Sequence, residues 1–180
     1  MPLSNNPQSH FSTAPLAFGA PAPRRSRLRA ALFGAIAAVT AGTLSAGIAQ
    51  AKEPQVYTGI VKGVAVGGYD PVAYFTDKKP VPGKAEFTHD HEGATWRFSS
   101  AANRDAFKAD PAKYTPQYGG YCAWAVSQGY TAKGDPTVWS ITDGKLFLNY
   151  NKSVQSGWAK DVPNLVKKAD ANWPKVLDKK

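Results

Sequence analysis

Beyond residue 51 the chain has one cysteine, Cys122, and two histidines, His89 and His91. The histidines are spaced i, i+2, so on a strand their rings project from the same face. Two imidazoles so placed can bind copper or zinc, with Asp90 or Glu92 close enough to orient them. Cys122 sits in PQYGGYCAWAVSQG (116–129), where a glycine pair leads into an apolar run. At the first turn of a helix the thiol would meet unpaired backbone N–H groups, which lower its pKa and make it a soft ligand or a reactive nucleophile. Packed among Ala123, Ala125 and Val126, it would instead be a small buried hydrophobe. An intermolecular disulfide is the remaining use. If folding brings the thiol to the imidazoles, Cys122, His89 and His91 form a His₂Cys set suited to a copper ion.

A second group of residues could line a cleft. Tyr69, Tyr118, Tyr121 and Trp124 flank glycine turns, where the backbone can approach a ligand closely. The competing reading is a small domain's aromatic core with its polar tips satisfied at the edge. Asp70 precedes Pro71 and reads as a helix cap, although it also borders this cleft. Catalysis has little to stand on. The chain has no G-x-S-x-G elbow, no H-E-x-x-H and no phosphate-binding glycine loop, and a Cys–His pair would lack a third orienting group.

The elements that must position these residues follow from periodicity and punctuation. KAEFTHDH and ATWRFSS alternate around a Gly93 turn and read as a β-hairpin. TVWSITDGKLFLNY (137–150) is a second hairpin, with Asp143-Gly144 favouring a type I′ turn. Ser99 or Ser100 caps a helix that carries Asn103 and Phe107 on one face; Asp110-Pro111 breaks it and restarts a short turn, which Pro116 ends. YCAWAVSQG is a short apolar helix or a buried strand closing at Gly129. The tail gives two amphipathic helices, with Val154 and Trp158 on one, and Leu165 and Ala169 on the other, after a cap at Asp161. No internal repeat is evident. The fold class is α+β, a small single domain of antiparallel hairpins packed with short helices.

Residues 1–51 read differently. All 13 acidic residues lie beyond Ala51. Four arginines, Arg24, Arg25, Arg27 and Arg29, precede an apolar run of small residues that ends in Ala49-Gln50-Ala51, an A-x-A cleavage pattern. We therefore expect a signal peptide at 1–51, a lead-in at 52–62, a domain at 63–175 and a basic tail at 176–180. The arginine cluster fits either the twin-arginine or the general secretory route to the periplasm. An uncleaved anchor is the alternative; after cleavage no stable membrane insertion is expected. The formal net charge of +9 comes mostly from dispersed lysines with no arginine-rich aromatic patch, which argues against nucleic acid as a partner. One cysteine allows no internal disulfide, so stability must come from a core that includes five tryptophans.

YDPVAYF, GATWRFSSAANRDAFKADPAKYTPQYGGYCAWAV and DPTVWSITDGKLFLNYN resemble the exported, single-domain branch of the YHS domain family. The resemblance spans about residues 63–175. It implies a YHS-like fold. Better-known members are metal modules in which Asp-Pro-Val-Cys and Phe-Cys-Ser stretches supply thiolates. Here Ala73 follows Asp70-Pro71-Val72, Ser99-Ser100 follow Phe98, and position 103 is asparagine. A site of paired thiolates is therefore not available. The resulting expectation is a non-catalytic binding module for a metal ion, copper above all, or for a small molecule near Cys122. A structural or protein-interaction domain and a thiol-based sensor or enzyme are the other classes.

Overall fold

Both alternating runs fold as hairpins. The computed structural model describes residues 52–178, in which β1 (Lys84–His91) pairs antiparallel with β2 (Ala94–Phe98) and β3 (Asp135–Thr142) with β4 (Lys145–Asn149). Both turn residues have positive φ in each case: 49° and 75° at Glu92-Gly93, 51° and 73° at Asp143-Gly144. That is the type I′ geometry whose twist matches the flanking strands. β2 alternates as a half-buried strand must, with Ala94, Trp96 and Phe98 inward.

Six helices pack on these hairpins, giving the α+β class read from the sequence. Helix α1 (Ala73–Thr76) is a single turn after Asp70-Pro71. Ser100 caps α2 (Ala101–Ala109), accepting from the Asn103 N–H at 3.2 Å, and Asp110 caps α3 (Pro111–Tyr114). The apolar run after Cys122 is helical: α4 (Ala123–Ser127) ends before Gly129, whose φ of 85° suits a glycine. Asn151 caps α5 (Lys152–Trp158), and α6 (Val162–Asn172) follows Asp161.

These elements repeat. A 3₁₀ turn at Ala65–Gly68 has Val66 and Gly67 in the left-handed region (φ 52° and 60°), and a second at Gln117–Gly120 has Tyr118 and Gly119 there (φ 58° and 61°). Each turn ends in Gly-Gly-Tyr and leads to a short helix, then to a hairpin with strands of eight and five residues. Each first strand shifts register near its start, between Lys84 and Thr88 and between Asp135 and Trp139. A capped helix follows each hairpin, then an Asp-led helix. The cores match as well: Trp96 packs on Phe107 at 4.9 Å, and Phe147 on Trp158 at 5.3 Å, centroid to centroid. Such pairs add about 0.5–1.5 kcal/mol beyond burial. Around them lie two buried clusters, one per half, although Leu146 and Leu148 of β4 join the first. The sequence reading found no repeat; the structure corrects it.

The ends of the domain also differ from expectation. Val56 in the lead-in and Val176 and Leu177 in the tail are buried, the Glu53 N–H donates to Leu177 O at 3.0 Å, and the Tyr57 N–H donates to Gly119 O at 2.9 Å. Val56 joins the first core and Val176 and Leu177 join the second, so the domain runs through both segments. The expected signal peptide lies outside the described residues. Among the described residues no helix is long and apolar enough to cross a membrane.

Candidate functional site

His89 and His91 project from one face of β1, as their spacing requires. Their rings stack at 6.3 Å with an interplanar angle of 17°, and both meet Phe107 edge-on, at 6.3 and 5.7 Å. Glu92 lies 3.9 Å from His91 Nε2. The imidazoles therefore belong to the rim of the first core.

Cys122 belongs to the second half. It is 1% exposed, between the start of α4 and Leu148 of β4. Its S–H donates to Asn149 Oδ1 at 3.9 Å. Burial pushes the thiol pKa up, and the backbone N–H groups of Ala125, Tyr150 and Trp124, which face the sulfur, only partly offset that rise. The expected drop in pKa at a helix start is thus overturned: desolvation outweighs the amides. Among the described residues no group of three or more His, Cys, Asp or Glu side chains could hold a metal ion, so Cys122, His89 and His91 are not assembled into a His₂Cys set.

Asp70 caps α1 as predicted and does more. Its carboxylate is fully buried. Oδ1 accepts from the backbone N–H groups of Val72 (2.9 Å) and Ala73 (3.4 Å). Oδ2 accepts from Ser99 N (2.8 Å), Ser99 Oγ (2.6 Å) and Asn103 Nδ2 (2.7 Å). One buried charge with five donors joins α1, the end of β2 and α2. Ala73 and Ser99 stand where the resemblance to the metal modules implies cysteines, and Asn103 adjoins them. Here they converge on a carboxylate whose lone pairs are taken, and the donors around it are hydroxyl and amide groups. A soft metal does not fit this centre.

The five cleft candidates do not share one cleft. Tyr69 lines a shallow hollow beside Ile60 and Pro136. Tyr118 lines a cavity of roughly 430 Å³ with His91, Glu92 and Trp173, while its hydroxyl donates to Asp170 at 2.9 Å. Tyr121 is core, its hydroxyl donating to Pro54 O at 2.9 Å, and Asp70 is internal. Burial first, then nearby carboxylates, raises the pKa of Tyr118 and Tyr121. Only Trp124 joins Cys122, at a cavity of roughly 270 Å³ that Ala125, Tyr130, Ala132 and Tyr150 also line. Sequence reasoning missed Tyr130, and it missed that Asn149 meets Cys122. Asn149 is fully buried and its Nδ2 has no hydrogen-bond partner. The paired Gly-Gly-Tyr runs were the signal that could have led from Asp70 to Cys122 and from there to Asn149.

The molecule so described is a small α+β domain of two like halves, one centred on a hydrogen-bonded carboxylate and the other on a buried thiol. Residues 72–118 match the family model for the YHS domain, which supports a YHS-domain assignment for this part of the chain. No curated protein and no solved structure gave a significant match to the chain.

Proposed function

We propose that the protein is an exported, non-catalytic binding module that holds a small, largely apolar ligand in the cavity over Cys122. One observation carries the reading: this cavity has aromatic walls, with Trp124 beside Cys122 and with Tyr130 and Tyr150 at its mouth, 52% and 44% exposed. Large aromatic rings left half in water around an apolar hollow are what a ligand would cover. The non-catalytic part is supported by the surroundings of the sulfur, which are amides rather than a base. Export to the periplasm is supported by the arginine cluster and the Ala49-Gln50-Ala51 ending. Copper enters as the competing occupant, for which the stacked His89–His91 pair is the remaining pair of donors.

Protein purified from its own periplasm tests this directly. Native mass spectrometry and elemental analysis should find an organic adduct without stoichiometric copper. The apolar dye ANS should bind the stripped protein and lose most of its binding in Tyr130→Ala and Trp124→Ala. Stoichiometric copper that disappears in the double histidine variant, or ANS binding indifferent to both aromatic changes, would refute the cavity reading.

A further inference from the structure

Asp70 and Cys122 hold the same place in the two halves. Each follows a Gly-Gly-Tyr turn. Each backbone N–H donates to the strand-entry segment of its own half, Asp70 to Val81 O at 2.8 Å and Cys122 to Ala132 O at 2.9 Å. Each side chain faces three backbone amides from matching positions: Val72, Ala73 and Ser99 around the carboxylate, and Trp124, Ala125 and Tyr150 around the sulfur. In the first half those amides hold an anion. In the second they surround a thiol, a weak acceptor. Beside it stands the fully buried Asn149 amide, whose oxygen takes the S–H while its nitrogen has no partner. Cys122, 1% exposed, forms part of the wall of the cavity of roughly 270 Å³.

We propose that Cys122 is an oxidation site for hydrogen peroxide, and that its sulfinate product takes the role in the second half that the Asp70 carboxylate has in the first. Aspartate Cγ and cysteine Sγ are both one bond from Cβ. Two oxygens added to Sγ, pyramidal about sulfur and set slightly farther out than Oδ1 and Oδ2 of Asp70, are therefore directed toward the matching three amides. In the first step the deprotonated sulfur attacks one peroxide oxygen and the O–O bond breaks. Sulfur loses two electrons and becomes sulfenic acid, and the other oxygen leaves as water after taking a proton. A second peroxide repeats the step, giving sulfinate, another water and a proton released to solvent. Three amides are in place before the product's charge exists, and Asn149, whose Oδ1 takes the S–H of the reduced cysteine, has a free Nδ2 that a turn of its amide brings to the product, in the part that Ser99 Oγ and Asn103 Nδ2 play for Asp70. Burial keeps the thiol protonated at neutral pH, so the reaction is slow and quickens as pH rises. The inference does not depend on a resident ligand, which would only shield the sulfur.

The test is titration of the purified protein with hydrogen peroxide, followed by peptide mapping and thermal unfolding. Cys122 should gain two oxygen atoms and stop there, and the product should melt at or above the Tm of the reduced protein. Progress to three oxygens without a pause, a lower Tm for the two-oxygen form, or a sulfur that reacts only after unfolding would each overturn the proposal. A pair of variants asks the same question without the reaction. Cys122→Asp should fold and melt above Cys122→Asn, because the site supplies donors to an anion; an aspartate variant that melts at or below the asparagine variant, or does not fold, would also overturn it.

Discussion

Replacing Asp70 with alanine removes one acceptor group and strands five donors. Two of them, the backbone N–H groups of Val72 and Ala73, belong to buried residues; the three on Ser99 and Asn103 are in partly buried surroundings. A buried donor left without a partner costs about 1–3 kcal/mol, and hydrogen bonds to a charged group are worth about 1.5–3 kcal/mol each before water compensates. Water entering from the Ser99 side would restore part of the latter group. The two buried amides and the lost charge-assisted bonds together give a loss of about 3–5 kcal/mol, against a total stability of about 5–15 kcal/mol for a domain of this kind. With a urea m-value of about 2 kcal/mol/M, the midpoint should fall by about 1.5–2.5 M. Asp70→Asn keeps one oxygen for the α1 cap but turns an NH₂ toward Ser99 and Asn103, so it should lose about half as much. Urea unfolding followed by tryptophan fluorescence at neutral pH measures both. A midpoint shift below about 0.5 M for Asp70→Ala would mean the carboxylate does not organise the first half, and the comparison with Cys122 would lose its basis.

Two further outcomes follow from the same geometry. Cys122, Tyr74, Tyr118 and Tyr121 all have folded-state pKa values raised first by burial, so the unfolded chain releases these protons at lower pH than the folded one. Stability should therefore be flat at neutral pH and fall as pH rises past about 8.5 for the thiol and about 10 for the phenols, with Cys122→Ala removing the earlier part of the decline; a urea midpoint that holds or rises up to about pH 10.5 would contradict this. Gly119→Ala should abolish folding or cost more than about 3 kcal/mol, since φ there is 61° and an added Cβ would collide with the Gln55 carbonyl, whereas alanine at Gly144, where φ is 73° but space is open, should cost only about 1 kcal/mol; thermal melts of the two variants distinguish space from strain.

Local chemistry was legible in this sequence, and long-range chemistry was not. Asp143-Gly144, the Ser100 and Asp110 caps and the alternation of Trp96 with Phe98 act within a few residues, so pattern reading recovered the hairpins and helices around them. The contacts of Asp70 with Ser99 and Asn103 span 29 and 33 residues, and nothing near Asp70 announces them. Burial of Cys122 depends on β4 in the same way. The repeat was hidden for a different reason: backbone geometry is retained while side-chain chemistry is exchanged. Gly67-Gly68-Tyr69 and Gly119-Gly120-Tyr121 keep their identities because the left-handed turn demands glycine. At the centre, however, Asp70, Ser99 and Asn103 are answered by Cys122, Tyr150 and Val154, and Phe98 by Asn149. These exchanges are coupled. The first half adds two side-chain donors to the amides around its carboxylate, and at the matching positions the second half has a tyrosine facing the cavity and an apolar valine. A thiol costs little to desolvate and fits among the amides in the reduced state, which leaves those amides free to receive a charge when one forms. Asn149 is the one side-chain donor the second half has gained at its centre, and its free Nδ2 is what a neutral cysteine alone would leave unexplained.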